Sequence, residues 1–226
     1  MTTKNGSFSI IFLGPPGSGK GTQSELLAND LKIPNISTGE MLRMEVVNNS
    51  EIGSIANRYM QAGGLVPDEV VVSIIKKRIS EPDCNEGFIL DGFPRNIHQA
   101  RILSAMLDEL GKKIDLVVDI DVDEGVLIKR IAGRFMCKEC RVLYNSFFNP
   151  TKVSKICDKC GGNIFESRAD DNEETVRNRL LIYNQNNKEL VDFYRKKGLI
   201  YFVDGLKDVA LLNLEINQRV NVMLNF

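Results

Sequence analysis

Gly14-Pro15-Pro16-Gly17-Ser18-Gly19-Lys20-Gly21-Thr22 follows a short apolar run at 8–13 and precedes a helix-like run at 23–31. The order is strand, glycine loop, helix. Such a loop turns successive backbone N–H groups inward and makes an anion cradle at the helix N-terminus. Gly17, Ser18, Gly19, Lys20, Gly21 and Thr22 supply the cradle, and Lys20 reaches the outer phosphates of a nucleoside triphosphate. An ordinary Gly/Pro surface turn gives no reason for a lysine and a hydroxyl at these offsets. Gly21 stands where the general motif has Ser or Thr, and the hydroxyl follows one position later at Thr22. That narrows the reading to a subset of phosphate-loop proteins.

The remainder of the chain bounds what surrounds this loop. Its 226 residues suit one sizeable core with small appendages. With 29 basic against 30 acidic residues there is no overall electrostatic case for binding nucleic acid or a membrane, so any anion site must be local. The apolar run at 8–13 leads straight into the loop instead of a small-residue cleavage site, which makes it a core strand and not a signal. No stretch approaches the roughly 20 apolar residues that cross a bilayer. A cytoplasmic location is the resulting expectation.

Further β-rich runs fall at 88–90, 116–121 and 199–203, with 34–36 as a candidate fifth strand. Helix-like segments at 68–79, 97–110 and 173–196 separate them. Strands alternating with amphipathic helices imply a parallel sheet covered on both faces. Ligands in such sheets bind outside the carboxyl ends of the strands, where Gly14, Asp91 and Asp204 fall. Two regions stand apart. Residues 37–66 read as helical and end in Gln61-Ala62-Gly63-Gly64, a glycine pair suited to a hinge. Residues 133–170 hold four paired cysteines, several turn formers and an aromatic-rich stretch at 144–150. There is no internal repeat and no low-complexity segment.

Asp91 closes an apolar strand, where a phosphate-loop enzyme holds a carboxylate near magnesium, but an Asp opening the turn Asp91-Gly92 is equally consistent. Asp170 and Asp171 are weaker metal candidates, since Asp171 with Glu174 also fits a helix N-terminal cap. Arg130 and Arg134 lie four apart on a helix-like run and are expected to share a face. Arg168 and Arg179 flank the return from the cysteine-rich region. Fixed guanidinium donors stabilise the charge that spreads over a migrating phosphoryl group, although any one of these arginines alone reads as a solvated surface residue. Gln99 by itself reads as an exposed helical glutamine, and His98, the single histidine, as an exposed helix residue. Cys137-x-x-Cys140 and Cys157-x-x-Cys160 are a strong tetrahedral zinc pattern, and four thiolates leave no open coordination position, so the metal is expected to be structural. Cys84 is left over as a packing or surface residue.

Read together with Ile36-Ser37-Thr38-Gly39-Glu40-Met41-Leu42-Arg43, Phe88-Ile89-Leu90-Asp91-Gly92-Phe93-Pro94-Arg95 and the segment 168–179, the loop resembles the adenylate kinase family, specifically its long, zinc-containing bacterial type. The resemblance covers nearly the whole chain, with the motifs in the family's order. It implies an α/β phosphate-loop kinase fold with a parallel five-stranded sheet, a small helical AMP-binding domain and a zinc-binding lid. The core would span 1–36, 67–132 and 171–226, the AMP-binding domain 37–66 and the lid 133–170. The implied activity is reversible transfer from ATP to AMP giving two ADP, with Mg2+ held through water by Asp91 and a structural Zn2+ on Cys137, Cys140, Cys157 and Cys160.

The same resemblance implies the residue roles. Lys20, Arg95, Arg130, Arg134, Arg168 and Arg179 would be catalytic, and Arg130, Arg168 and Arg179 would converge on the phosphates between the substrates. AMP would meet Thr38, Arg43, Gly64, Leu65, Val66, Gly92, Phe93, Pro94, Arg95, Gln99, Arg168 and Arg179, with Gln99 offering its amide to adenine. ATP would meet the loop, Arg134, Leu143 and Tyr144 beside the base, and the Lys207 carbonyl. Carboxylates at Asp170 and Asp171 would help close the lid. Arg177 is expected to be an exposed helix residue. Arg141 and Asn145 depart from the family pattern, where glycine and histidine are common. A monomer working on ATP, AMP and ADP, without nucleic acid or membrane, is the implied state. The rivals are a monophosphate kinase for another base and a non-catalytic nucleotide switch with a nucleic-acid-binding zinc ribbon, whose charge is however mixed: Lys138, Arg141, Lys152, Lys155 and Lys159 against Glu139, Asp158 and Glu166.

Overall fold

A computed structural model describes residues 7–168 and 170–224. The chain ends, which belong to the expected core segments, and Ala169 of the 168–179 motif lie outside the described residues. In chain order the elements begin β1 (Ile10–Leu13), α1 (Lys20–Leu31), β2 (Asn35–Ser37), α2 (Thr38–Val47), α3 (Glu51–Gln61) and α4 (Asp68–Ile79). They continue with β3 (Ile89–Asp91), α5 (Ile97–Glu109), β4 (Leu116–Asp121), α6 (Glu124–Ala132), β5 (Arg134–Cys137) and β6 (Leu143–Asn145). β7 (Phe165–Glu166), α7 (Glu173–Lys196), β8 (Ile200–Asp204) and α8 (Val209–Leu224) complete the chain.

Ile10, Ile11 and Phe12 of β1 are all fully buried. A strand without a solvent face belongs in the interior of a sheet covered on both sides, and β1 is the middle strand of a parallel five-stranded sheet of order β2-β3-β1-β4-β8. Its alternate side chains enter different cores. Ile11 and Leu13 pack with residues of α2, α4, α5 and the distal part of α7, whereas Ile10 and Phe12 pack with residues of α1, α6 and α8. The register pairs Ser37 with Asp91, Phe12 with Asp91, and Leu13 with Asp119. The carboxyl ends of β2, β3 and β1 are thereby level to within a residue, which sets Gly14, Thr38 and Gly92 on one edge of the sheet, beside Asp119 of β4, a strand that runs on to Asp121.

The candidate fifth strand is real, shifted by one residue to β2. The largest boundary difference is at α1, which begins at Lys20, so that Lys20, Gly21 and Thr22 form its first turn. Arg130 and Arg134 do not share a helix face. α6 ends at Ala132, Gly133 caps it, and Arg134 opens β5. The cap of α7 is also different from expectation: Asn172, not Asp171, accepts from the Thr175 N–H at 2.9 Å.

Residues 133–168 form an antiparallel sheet of order β6-β5-β7. Its own core is only Cys137, Tyr144 and Cys157, with Phe135, Cys140, Val142 and Phe165 against them. So small a cluster buries too little apolar surface to hold a fold by itself.

Candidate active site

The phosphate loop is shaped by backbone that side chains disfavour. Gly14 has φ +138°, and a Cβ there would lie 2.6 Å from the Ile120 carbonyl oxygen. Gly19 takes the left-handed N-cap position of α1 at φ +100°, and no side chain caps the helix amides behind it. Those amides are the orphan donors that an anion satisfies. Lys20 curls over the loop, its Nζ donating to the carbonyls of Gly14 at 2.7 Å and Pro15 at 2.9 Å. Burial of the ammonium lowers Lys20 to about 8, with the Asp91 carboxylate opposing and Arg95 and Arg179 reinforcing the fall. Ser18 is buried and its Oγ has no protein partner. Thr22 is exposed on the first turn of α1. Asp91 Oδ2 accepts from Ser37 Oγ at 3.1 Å and lies 3.5 Å from where a Cβ on Gly21 would stand. A carboxylate so close to the loop fits a hydrated magnesium ion riding on triphosphate oxygens.

Beside the loop a cleft enclosing about 560 Å³, part of it open to solvent, is lined by Thr38, Arg43, Gly64, Leu65, Val66, Gly92, Arg95, Gln99 and Arg179. Gly39, Leu42, Met60, Gly63, Val71 and Asp170 line it too; of these, Met60 and Val71 carried no signal in the sequence, and the other four were noted for a motif, a hinge or the lid and not as walls of this cleft. Phe93 and Pro94 are not in its wall; both are buried, and the peptide bond between them is cis. Thr38 Oγ1 donates to the Gly92 carbonyl at 2.8 Å, tying α2 to the turn after β3. Arg95 Nε donates to the same carbonyl at 2.8 Å. Gln99 is 1% exposed and not a surface residue. Its amide accepts from the Arg95 N–H and donates to Asp68 Oδ1, each at 2.7 Å. His98 is exposed, as expected, with Nδ1 2.7 Å from Asp68 Oδ2.

Above the cleft, arginines and carboxylates interleave. Arg134 grips Asp171 with two hydrogen bonds, one of them from Nε at 2.7 Å. Arg179 lies 3.1 Å from Asp170, Arg43 lies 2.7 Å from Glu40, and Arg168 also bonds to Glu40. Burial first, then repulsion from Arg43 and Arg134, lowers Arg168 to about 10. Burial likewise brings Arg179 to about 10 against the attraction of Asp170. Guanidiniums under this much cationic pressure gain most from a polyanion.

Arg130 does not join them. Its guanidinium donates to Ser18 O at 3.3 Å and Gly205 O at 2.9 Å, and the lid's Phe148 ring covers it at 5.4 Å. The reason is the end of α6, which leaves Arg130 beside the outer wall of the loop while Arg134 swings away on β5. Arg177 is an exposed residue paired with Glu173 within α7.

The four cysteine sulfurs lie within 4.8 Å of one another, with Cys137 to Cys160 at 3.6 Å and Cys140 to Cys157 at 3.5 Å. Sulfurs about 2.3 Å from a tetrahedral zinc stand roughly 3.8 Å apart, so the set fits that ion. The Tyr144 ring is buried in this segment's own small core. It stacks on Phe135, meets Phe165 edge-on and places its OH 3.3 Å from Cys157 Sγ. Leu143 precedes it on β6, half-buried, and Lys207 is exposed with Nζ 2.6 Å from Glu215. Both departures from the family pattern have local reasons. Arg141 holds a left-handed backbone, φ +61°, where glycine is at ease, and pairs with Glu166 at 2.8 Å. Asn145 Nδ2 donates to the Arg130 carbonyl, and its Oδ1 accepts from the amides of Phe147 and Phe148. Cys84 is buried against Arg78, a packing residue.

A phosphate loop at the head of a parallel sheet, a second cleft beside it and a crown of arginines between them define a nucleoside-monophosphate kinase. The family model described as adenylate kinase matches residues 12–199. The adenylate kinase of Archaeoglobus fulgidus is 52% identical over 89% of this chain and 92% of its own. That of Enterococcus faecalis is 48% identical over 94% and 99%, and that of Methanosarcina barkeri 50% over 89% and 93%. The chain belongs to the adenylate kinase family, enzymes that reversibly transfer a phosphoryl group from ATP to AMP and give two ADP.

Proposed function

We propose that AMP occupies the cleft between α2, α3 and the β3–α5 turn, and that ATP lies with its phosphates in the glycine loop, so that the two polyanions meet beneath Arg134, Arg168 and Arg179. The observation that carries this assignment is the shared strand edge that puts the loop, Asp91 and the arginine-lined cleft side by side. Arg43 and Arg95 hold the AMP phosphate, Thr38 and the Gly64-Leu65-Val66 backbone flank the nucleoside, and Gln99 meets adenine. Lys20 and the loop amides hold the ATP phosphates. Leu143, the backbone of Tyr144 and the Lys207 carbonyl border the ATP nucleoside, with Arg130 at that outer end.

The attacking group is a phosphate oxygen that is already ionised, so the transfer needs no general base. An AMP oxygen bonds to the γ-phosphorus as the bond to the β–γ bridging oxygen breaks, and ADP leaves on one side as ADP forms on the other. The residues position both reactants, neutralise them and keep water out. Asp91 would hold the hydrated magnesium that accompanies ATP and supplies charge neutralisation there. The four cysteines would hold zinc, which supplies the cross-link that the small lid core lacks.

Residues 1–36, 67–132 and 171–226 then act as the core, 37–66 as the AMP-binding arm and 133–170 as the lid. The working state is a monomer in the cytoplasm, free of nucleic acid, in line with the balanced charge. Among the described residues no helix is long and apolar enough to cross a membrane. Steady-state ADP formation with AMP, GMP, CMP and UMP as acceptors, for the unaltered enzyme and for Gln99→Ala, tests the assignment. AMP is preferred and Gln99→Ala weakens the preference; preference for another base refutes it.

A further inference from the structure

The carboxamide of Gln99 is fixed at both ends. A glutamine amide ordinarily interchanges its oxygen and nitrogen by a half-turn, and either order serves if the partners allow it. Here neither partner does. The Arg95 backbone offers Oε1 only an N–H, and Asp68 offers Nε2 only carboxylate lone pairs. The flipped amide would press NH2 against N–H and a carbonyl oxygen against a carboxylate. Asp68 is itself held in place. Its Oδ1 also accepts from Asn96 Nδ2 at 3.1 Å, and Oδ2 lies 2.7 Å from His98 Nδ1. Burial alone would raise this carboxyl, but the hydrogen bonds from His98, Gln99 and Asn96 hold it below its ordinary value of 3.8, so at neutral pH it only accepts.

We propose that Asp68 is a specificity-determining positioning residue, which locks Gln99 so that its remaining N–H and its free oxygen lone pair face the acceptor base in one fixed order. The inference rests on adenine lying beside Gln99. Adenine presents an acceptor, N1, next to a donor, the 6-amino group, and the locked amide answers both. Hypoxanthine and guanine present N1–H next to O6 and need the opposite order. Rejecting them then costs two mismatched polar contacts in a buried wall and not one side-chain rotation. Asp68 opens α4 and Gln99 lies in the first turn of α5, so two helix starts together set the polarity of one amide.

The test compares AMP with inosine monophosphate, which differ only at N1 and C6, as acceptors for the unaltered enzyme, Asp68→Asn, Asp68→Ala, His98→Ala and Gln99→Ala. Asparagine at 68 can donate as well as accept, and alanine leaves Nε2 unconstrained. In both Asp68 variants the AMP-to-inosine-monophosphate ratio of kcat/KM falls by about tenfold, the loss of one charge-assisted polar constraint. The fall is carried by KM for the acceptor, while KM for ATP and kcat with AMP stay within about twofold, a split that general loosening would not produce. Asp68→Ala keeps the inference testable if Asp68→Asn fails to fold. His98→Ala removes only the support on the other carboxylate oxygen and leaves the bonds from Asn96 and Gln99, so the ratio falls clearly less than in the Asp68 variants; an equal fall there overturns the claim. An unchanged ratio in the Asp68 variants, with a lowered one in Gln99→Ala, overturns the lock and leaves the adenine placement standing. An unchanged ratio in Gln99→Ala overturns the placement and the lock with it.

Discussion

Glu40 of α2 and Arg168, at the end of the cysteine-bearing segment, are 128 residues apart and form an ion pair. Arg43 bonds to the same Glu40 oxygen at 2.7 Å. One carboxylate thus gathers an arginine from each of the two appendages that flank the cleft. The ties continue nearby: Thr175 Oγ1 donates to Gln61 O at 3.0 Å and Asn178 Nδ2 to Ala62 O at 2.6 Å, joining α7 to the end of α3. On the proposed placement of AMP, a bound phosphate would compete with Glu40 for both arginines and so link substrate binding to the contacts between the appendages.

Glu40→Gln therefore loosens this junction in a pH-dependent way. Burial pushes the Glu40 carboxyl up, but the charges of Arg43 and Arg168 and the Arg43 hydrogen bond bring it below its ordinary 4.5. The stabilisation is present above 4.5 and is lost as pH falls through the lower folded value. With Glu40 41% exposed, screening limits the loss in Glu40→Gln to at most about 1 kcal/mol. Denaturant unfolding of both forms at pH 7 and below 4 checks this; the difference shrinks at the acid end and in high salt. A difference constant with pH would mean that the carboxylate charge is not responsible.

Lys20 gives the second expectation. Lys20→Met lowers kcat by about 10²–10³, the usual scale for one preorganised donor to developing phosphate charge. Burial lowers the ammonium from 10.5 to about 8. The cost of keeping it charged is fully present below pH 8 and disappears as pH rises to 10.5, so the variant is no less stable at pH 7. In the unaltered enzyme kcat/KM for ATP falls as pH rises through about 8, whereas the corresponding limb of kcat, measured at saturating ATP, lies at higher pH because phosphates favour the ammonium. An alkaline profile flat to pH 10 sinks this account.

The lid gives the third. Cys157→Ser removes one of four sulfurs and breaks the 3.3 Å contact with Tyr144 OH, on which the aromatic cluster of Phe135, Tyr144 and Phe165 is stacked. On the proposed zinc site the unaltered protein carries about one zinc per chain and the variant less; the thermal midpoint drops and proteolysis within 133–170 speeds up, while folded enzyme at low temperature keeps substantial activity. Loss of chemistry in fully folded protein with a stable lid would assign the metal a different role.

The sheet was legible because each strand carries its own signal: five short apolar runs, three of them ending where Gly14, Asp91 and Asp204 break the pattern. The helix pairing of Arg130 with Arg134 was not, because a spacing of four holds only while the helix continues, and Gly133 ends it. Gln99 read as a surface residue since nothing local reveals that Asp68 and Arg95 will close on it across 31 and 4 residues. The clustering of the four cysteines was plain from spacing alone. The inward turn of the Tyr144 ring was not legible, because strand alternation does not say which face of a three-stranded sheet is the dry one. Asp68 and Asp119 left no motif, and Glu40, though inside the 36–43 segment, gave no sign of its pairing with Arg168, 128 residues away.

Asp119 makes the last expectation. It stands at the level of Leu13 on β4, 6% exposed, inside the strand edge that carries the phosphate loop. Burial raises its carboxyl from 3.8 to about 6, against the pull of Lys20. A carboxyl raised in the fold holds its proton longer than in the unfolded chain, so its ionisation costs stability as pH rises from 3.8 through 6, and the full cost remains above 6. Asp119→Asn escapes it. The variant is more stable at pH 7.5 by on the order of 2 to 3 kcal/mol, and the gain vanishes below about pH 4. Asp119 also favours the Lys20 ammonium, so its removal shifts the alkaline limb of kcat/KM for ATP toward lower pH. Unfolding at the two pH values and one pH–rate profile decide both parts. A variant no more stable at pH 7.5 would mean that the attraction of Lys20, and not burial, governs this carboxyl.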